Sequence, residues 1–193
     1  MTPAMALTYS EKGEIGSTAP DFSLPGIGPK GEGTWSLGDF APAKALVIGF
    51  ICNHCPYVKA IQTRFNDLAK EYQPRGVAVV GINPNDAVRY PDDSFAAMKG
   101  RAAEEGYVFP YLQDESQAVA REYGAVCTPD FYVYEKKGTA FRLAYRGRLD
   151  DNWKEPAQVK VRDLAKSLDL ILSGQSVGPD QIPSMGCSIK WKG

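Results

Sequence analysis

The stretch Ala45-Leu46-Val47-Ile48-Gly49-Phe50-Ile51 is a continuous apolar run of strand length, the pattern of a strand covered on both faces. After it, Tyr57, Val58, Ile61, Phe65, Leu68, Ala69 and Tyr72 recur at helical spacing among Lys, Arg and Asp, which predicts an amphipathic helix over 56–72. Val77 to Ile82 reads as a second buried strand, followed by a polar loop from Pro84 to Asp93 and a helix over 94–105. A short strand is expected over 109–112 and a short helix over 117–123. Phe131 to Tyr134 and Phe141 to Tyr145 flank Lys136-Lys137-Gly138 as a β-hairpin, and a last helix is expected over 158–172, stopping near Gly174. The Gly- and Pro-rich first forty residues read as an extended leader, and the tail after 174 as irregular. Alternating strands and helices of this kind make an α/β fold with a central mixed β-sheet flanked by helices.

Composition narrows the partners. The 193-residue chain suits a single domain, 1–193, with 1–15 and 174–193 as terminal extensions. A net charge of −1 gives no electrostatic footprint for nucleic acid. No stretch approaches the roughly 20 apolar residues of a membrane span, and Met1 to Ser10 carry no secretory pattern, so a cytoplasmic location without membrane partners is expected. Four cysteines are too few for a disulfide scaffold, and two of them stand three apart.

Those two carry the candidate chemistry. Cys52-Asn53-His54-Cys55 lies where the buried strand gives way to the amphipathic helix. Unpaired N–H groups and the partial positive charge of a helix N-terminus favour thiolate over thiol. Cys52 is therefore expected to face outward as the nucleophile and Cys55 to sit one turn in as the resolving thiol. His54, the sole histidine, is placed to tune Cys52 as a cationic hydrogen-bond donor. A metal or redox-sensing module using Cys52, Cys55 and His54 is the non-enzymatic alternative, with an unidentified fourth ligand.

The order strand, Cys-X-X-Cys, helix, followed by Val126-Cys127-Thr128-Pro129-Asp130 before a hairpin, resembles the thioredoxin-like superfamily. The leader Ala19-Pro20-Asp21-Phe22-Ser23-Leu24 and the insertion from Asn83 to Tyr107 are similar to its redoxin, or AhpC/TSA-like, branch of peroxiredoxins and TlpA-like reductases. The resemblance covers residues 15–173 and implies a cis-proline at Pro129 packed on the motif, with Thr128 offering backbone hydrogen bonds to substrate and Asn53 beside it. It implies thiol–disulfide exchange with a protein or small-molecule disulfide, a thiol electron donor and no bound cofactor. A His before the second cysteine resembles the more oxidising members of the superfamily. The antioxidant peroxidase of the redoxin branch is the enzymatic alternative, although Gly49 and Ala45 stand where that group carries Thr and Pro.

Cys127 reads as a small buried hydrophobe, with a third redox thiol as its functional alternative; Cys187 is assigned either a regulatory or resolving role or simple packing. The run Arg146, Arg148, Asp150, Asp151 reads as a solvated face.

Overall fold

The computed structural model describes residues 7–193. In chain order these form β1 (Leu7–Tyr9), β2 (Ser23–Gly28), β3 (Gly31–Ser36), β4 (Ala45–Phe50), α1 (Pro56–Tyr72), β5 (Val77–Asn83), α2 (Phe95–Glu105) and β6 (Tyr111–Gln113). They continue through α3 (Ala118–Glu122), β7 (Cys127–Thr128), β8 (Asp130–Lys137), β9 (Ala140–Gly147), α4 (Asp163–Leu172) and β10 (Met185–Ser188). A mixed seven-stranded sheet runs in the order β3-β2-β6-β5-β4-β8-β9, and a small second sheet runs β1-β10-β7.

Strand β4 sits between β5, parallel, and β8, antiparallel, with every residue buried. Successive side chains point to opposite faces. Ala45 and Val47 therefore join the core built with α1, α2 and α4, while Leu46, Ile48 and Phe50 join the core under α3 and the N-terminal segment. The helix α1 starts at Pro56, whose missing N–H costs nothing at the first helical position. It buries Val58, Ile61, Phe65, Leu68 and Tyr72 against the sheet. Among the described residues no helix is long and apolar enough to cross a membrane.

Four expectations are corrected. The leader contains the β2–β3 hairpin, which extends the sheet by pairing β2 with β6. Its glycines disguise it as a loop but make room for an indole: a Cβ on Gly28 would lie 2.6 Å from Trp35. The tail is ordered into β10, which pairs with β1 and β7, partners too distant in sequence to leave a local pattern. Helix α4 begins at Asp163 rather than near 158, because Pro156–Gln158 is a single 3-10 turn and the chain beyond it hooks onto Asp151, with Lys160 N–H donating to the Asp151 carboxylate and Asp151 N–H to Val161 O. The mixed-charge run is not a solvated face. Arg146 and Asp130 form a buried ion pair at 2.9 Å, Asp150 is held by Arg64 and Arg148 by Asp163.

Candidate active site

The central strand delivers its last residues to the start of α1. Ile51 N–H still donates to Ile82 O, and the chain then turns so that Cys55 caps α1, its carbonyl accepting from Lys59 N–H. Cys52 is 1% exposed and Cys55 0%, so the expected outward-facing Cys52 is buried. The Thr128–Pro129 peptide is cis, and Thr128 grips both sulfurs. Its hydroxyl lies 3.2 Å from Cys52 Sγ and its carbonyl oxygen 3.3 Å from Cys55 Sγ.

A third sulfur completes the cluster, since Cys187 Sγ lies 2.7 Å from Cys55 Sγ. Strand β10 brings it there, with Cys187 opposite Thr128 and Ser188 opposite Cys127. The backbone edge of Thr128, expected to receive substrate, is thus occupied by the protein's own strand, and Thr128 is buried. The fit depends on Gly186: a Cβ there would lie 2.0 Å from Thr128 O and 2.9 Å from Pro129 Cδ. Cys127 is buried, its sulfur 3.7 Å from Pro129 O, and burial with the nearby Asp130 carboxylate pushes its thiol up.

The charge distribution differs from the expected one. A hydrogen bond from the Cys52 thiol, then one from Cys187 and the N–H of Val58, hold Cys55 down to about 5 against burial. Burial, first, then the hydrogen bond to Cys55 and the Asp93 anion push Cys52 well above the thiol range. Of the two motif thiols Cys55 is therefore the more acidic, because hydrogen bonds and the helix N-terminus outweigh burial there; as a thiol it donates to Thr128 O and to Cys187 Sγ.

Asp93, in the segment read as a polar loop, anchors the motif from behind. Its carboxylate accepts four hydrogen bonds: from Asn53 N–H at 2.7 Å, Asn83 Nδ2 at 3.2 Å, Asn85 Nδ2 at 2.9 Å and His54 Nδ1 at 2.5 Å. Burial works to raise its pKa, but the His54 and Asn53 hydrogen bonds, the His54 charge and Asn85 outweigh it and hold the carboxyl below its usual range. His54 Nδ1 is thereby committed to Asp93 rather than to Cys52, although a ring nitrogen of His54 stays within 4.8 Å of Cys52 Sγ. Its ring stacks on Tyr90 with centroids 5.3 Å apart, and its buried Nε2 finds no partner among the described residues. Asn53 also faces inward, its amide donating to Asp92 O and accepting from Tyr111 Oη, which leaves no polar atom of that side chain turned to a substrate. Cys52, His54 and Asp93 each place one potential metal-ligating atom within 4.8 Å of the others. A tetrahedral ion would need a fourth ligand and would compete with every bond at Asp93, so the donor set suits proton sharing better than a metal.

Because the Asp93 anion raises the Cys52 thiol, Asp93→Asn is expected to lower it and to speed alkylation of Cys52 at neutral pH, roughly 3- to 10-fold. Iodoacetamide kinetics resolved by peptide mapping check this, and an unchanged or slower rate at Cys52 counts against it.

Residues 15–140 match the AhpC/TSA family. This chain belongs to that family. It is similar over its whole length to a conserved protein from Geobacillus kaustophilus described as uncharacterized, at 43% identity and a TM-score of 0.89, with 98% of each chain covered. A hypothetical protein from Sinorhizobium meliloti 1021 is 39% identical with a TM-score of 0.85, covering 96% of this chain and 98% of that one. A thiol-disulfide oxidoreductase from Bacteroides fragilis shares the thioredoxin-like fold at 21% identity and a TM-score of 0.53, with 67% and 89% covered. No curated protein matches the chain.

Within this AhpC/TSA protein, Gly49 is packed between two rings. A Cβ there would meet Phe65 at 3.0 Å and Phe131 at 3.2 Å, so a larger side chain would have to push these buried rings by a few tenths of an ångström. Beyond the cis-proline, Pro129, Ile61, Phe131, Trp153, Ile182 and Met185 line a largely apolar cavity of about 190 Å³. Asp93 and the Asp130–Arg146 pair are the site features that sequence reasoning missed, whereas Cys187, a candidate accessory thiol in the sequence, lies against Cys55. The nearest signal for the first was Pro91-Asp92-Asp93-Ser94, an acidic pair directly before a helix cap.

Proposed function

We propose that this redoxin is a dithiol–disulfide oxidoreductase that cycles Cys52 and Cys55 between two thiols and a disulfide. The observation that carries the reading is the pair of sulfurs between β4 and α1, both touched by Thr128 beside a cis-proline. In the reduced site Cys55, once ionised, takes the proton of Cys52 as Cys52 attacks a substrate disulfide. One substrate sulfur leaves with its electron pair, and the Thr128 hydroxyl stands 3.2 Å from Cys52 Sγ to stabilise charge there. Cys55 then breaks the mixed disulfide at Cys52, its proton passing to the departing thiolate, so two electrons reduce the substrate as the Cys52–Cys55 bond forms. The substrate is a protein or small-molecule disulfide, and the apolar cavity beside Pro129 receives a hydrophobic group flanking it. A thiol donor restores the dithiol.

Oxidised glutathione, followed by acid quench, alkylation and peptide mapping, is expected to yield a Cys52–Cys55 disulfide with release of both glutathiones. Cys52→Ser is expected to slow this reduction by about 100-fold or more. A variant that keeps its rate overturns the reading. The family's peroxide chemistry is the second reading; it predicts a dimedone adduct on Cys52 after hydrogen peroxide, and Gly49, packed against Phe65 and Phe131, offers no hydroxyl to assist it.

A further inference from the structure

The working pair of a dithiol site needs two sulfurs, and here a third is packed against one of them. Cys187 Sγ is 2.7 Å from Cys55 Sγ, and Thr128 touches the sulfurs of both Cys55 and Cys52. The third sulfur is not brought there by a flexible tail. Antiparallel pairing fixes Cys187 opposite Thr128, the residue that touches both motif sulfurs, and on its other side Cys187 stands opposite Leu7 of β1. Gly186 lets the strand approach Thr128 to a distance that no side chain permits. A disulfide has its sulfurs about 2.05 Å apart, so closing a Cys55–Cys187 bond requires a sulfur movement of less than an ångström, on the order of a small χ1 adjustment. Cys127 has no comparable placement, because its thiol contacts Pro129 O instead.

We propose that Cys187 is a third redox-active thiol and that Cys55 is the pivot between two alternative disulfides, Cys52–Cys55 and Cys55–Cys187. The inference rests on the dithiol reading above and extends it by one step. Once Cys52–Cys55 has formed, Cys187 as thiolate attacks Cys55 Sγ. The Cys55–Cys187 bond forms, the Cys52–Cys55 bond breaks, and Cys52 leaves as the thiolate and takes up the proton that Cys187 gave up. No electrons enter or leave, so the step is an isomerisation of the disulfide and needs no further reagent. Electrostatics favour its timing. In the dithiol state the thiol of Cys187 is pushed up to about 12, by burial first and then by the hydrogen bond and charge of Cys55. Oxidation of Cys55 removes that anion, while the Lys190 charge that favours the Cys187 thiolate remains. The outcome returns Cys52 to its reduced form, ties β10 covalently to the start of α1, and leaves Cys55–Cys187 as the bond that the thiol donor must break.

A rapid-quench time course of the wild-type protein with oxidised glutathione, trapped in acid and mapped by mass spectrometry, tests this directly. The expected result is Cys52–Cys55 first and Cys55–Cys187 later, with Cys52 becoming alkylatable as the second bond accumulates. Cys187→Ser should lose the second cross-link and keep the first. If Cys52–Cys55 forms but Cys187 stays fully alkylatable at every time and glutathione ratio, the relay is overturned while the dithiol reading stands. If neither bond forms, both fall.

Discussion

Gly186→Ala is expected to raise the alkylation rate of Cys55 by about 100-fold or more, because it separates β10 from Thr128. The added Cβ would fall 2.0 Å from Thr128 O and 2.5 Å from Thr128 C, and these are backbone atoms with no rotamer to turn aside. The strand therefore has to move, and only the short β1 holds its other edge. A sulfur that is 0% exposed reacts only through local opening, and openings of ordered segments cost several kcal/mol, each 1.4 of which is worth a factor of ten in rate. Loss of the Cys187 hydrogen bond weakens the Cys55 thiolate, but Cys52 and the Val58 N–H remain as donors, so access dominates. Overpacking of this kind also costs about 1–3 kcal/mol of stability. Iodoacetamide kinetics at Cys55 and urea unfolding check both figures. An unchanged rate with unchanged stability means that β10 tolerates the methyl group and that the close approach is not what keeps the site shut.

Arg146→Met carries the largest expected stability loss, about 3–5 kcal/mol at neutral pH, because it strands the Asp130 carboxylate in the interior. Burial already raises Asp130 to about 6, with Arg146 pulling against it. The folded state thus binds a proton more tightly than the unfolded chain, whose carboxylates titrate near 4, and the contribution of Asp130 to stability falls as pH rises between those values. Removing Arg146 raises the carboxyl further and moves the upper edge of that window upward. The variant should therefore regain part of its lost stability as pH falls toward 5. Asp93 has the opposite sign: its folded pKa is lowered, so its contribution is complete above about 4 and is lost only as pH falls through the folded value. Urea unfolding of wild type and variant at neutral pH and near pH 5 measures the recovery, and a deficit that is flat or grows on acidification contradicts the assignment.

What could be read from the chain follows the range of the interactions. β4, α1, β5 and the β8–β9 hairpin are written in local periodicity, and Cys52 and Cys55 fall at their junction by position alone. Pro129 came from resemblance rather than from periodicity. The rest of the site is assembled across the sequence. The acid that holds the motif backbone is 40 residues from Asn53, Arg146 is 16 from Asp130, and Cys187 is 132 from Cys55. None of these pairs shares a window in which a pattern could form. Asp93 lay inside a run of polar residues, and Met185-Gly186-Cys187-Ser188 has neither the β-branched nor the aromatic residues that mark a strand. The third thiol beside Cys55 was hidden for a related reason, since it is supplied by that distant strand.

The position of β10 also dictates when the site closes during biosynthesis. A nascent chain elongated through α4 already contains all seven strands of the main sheet, α1 and both motif cysteines, while the edge of Thr128 is still bare. Pairings of such long sequence separation form late because loop closure opposes them. Until β10 docks, the edge of Thr128 beside the two motif thiols of the growing chain stays uncovered, and a disulfide formed between them at that stage would face no competition from Cys187.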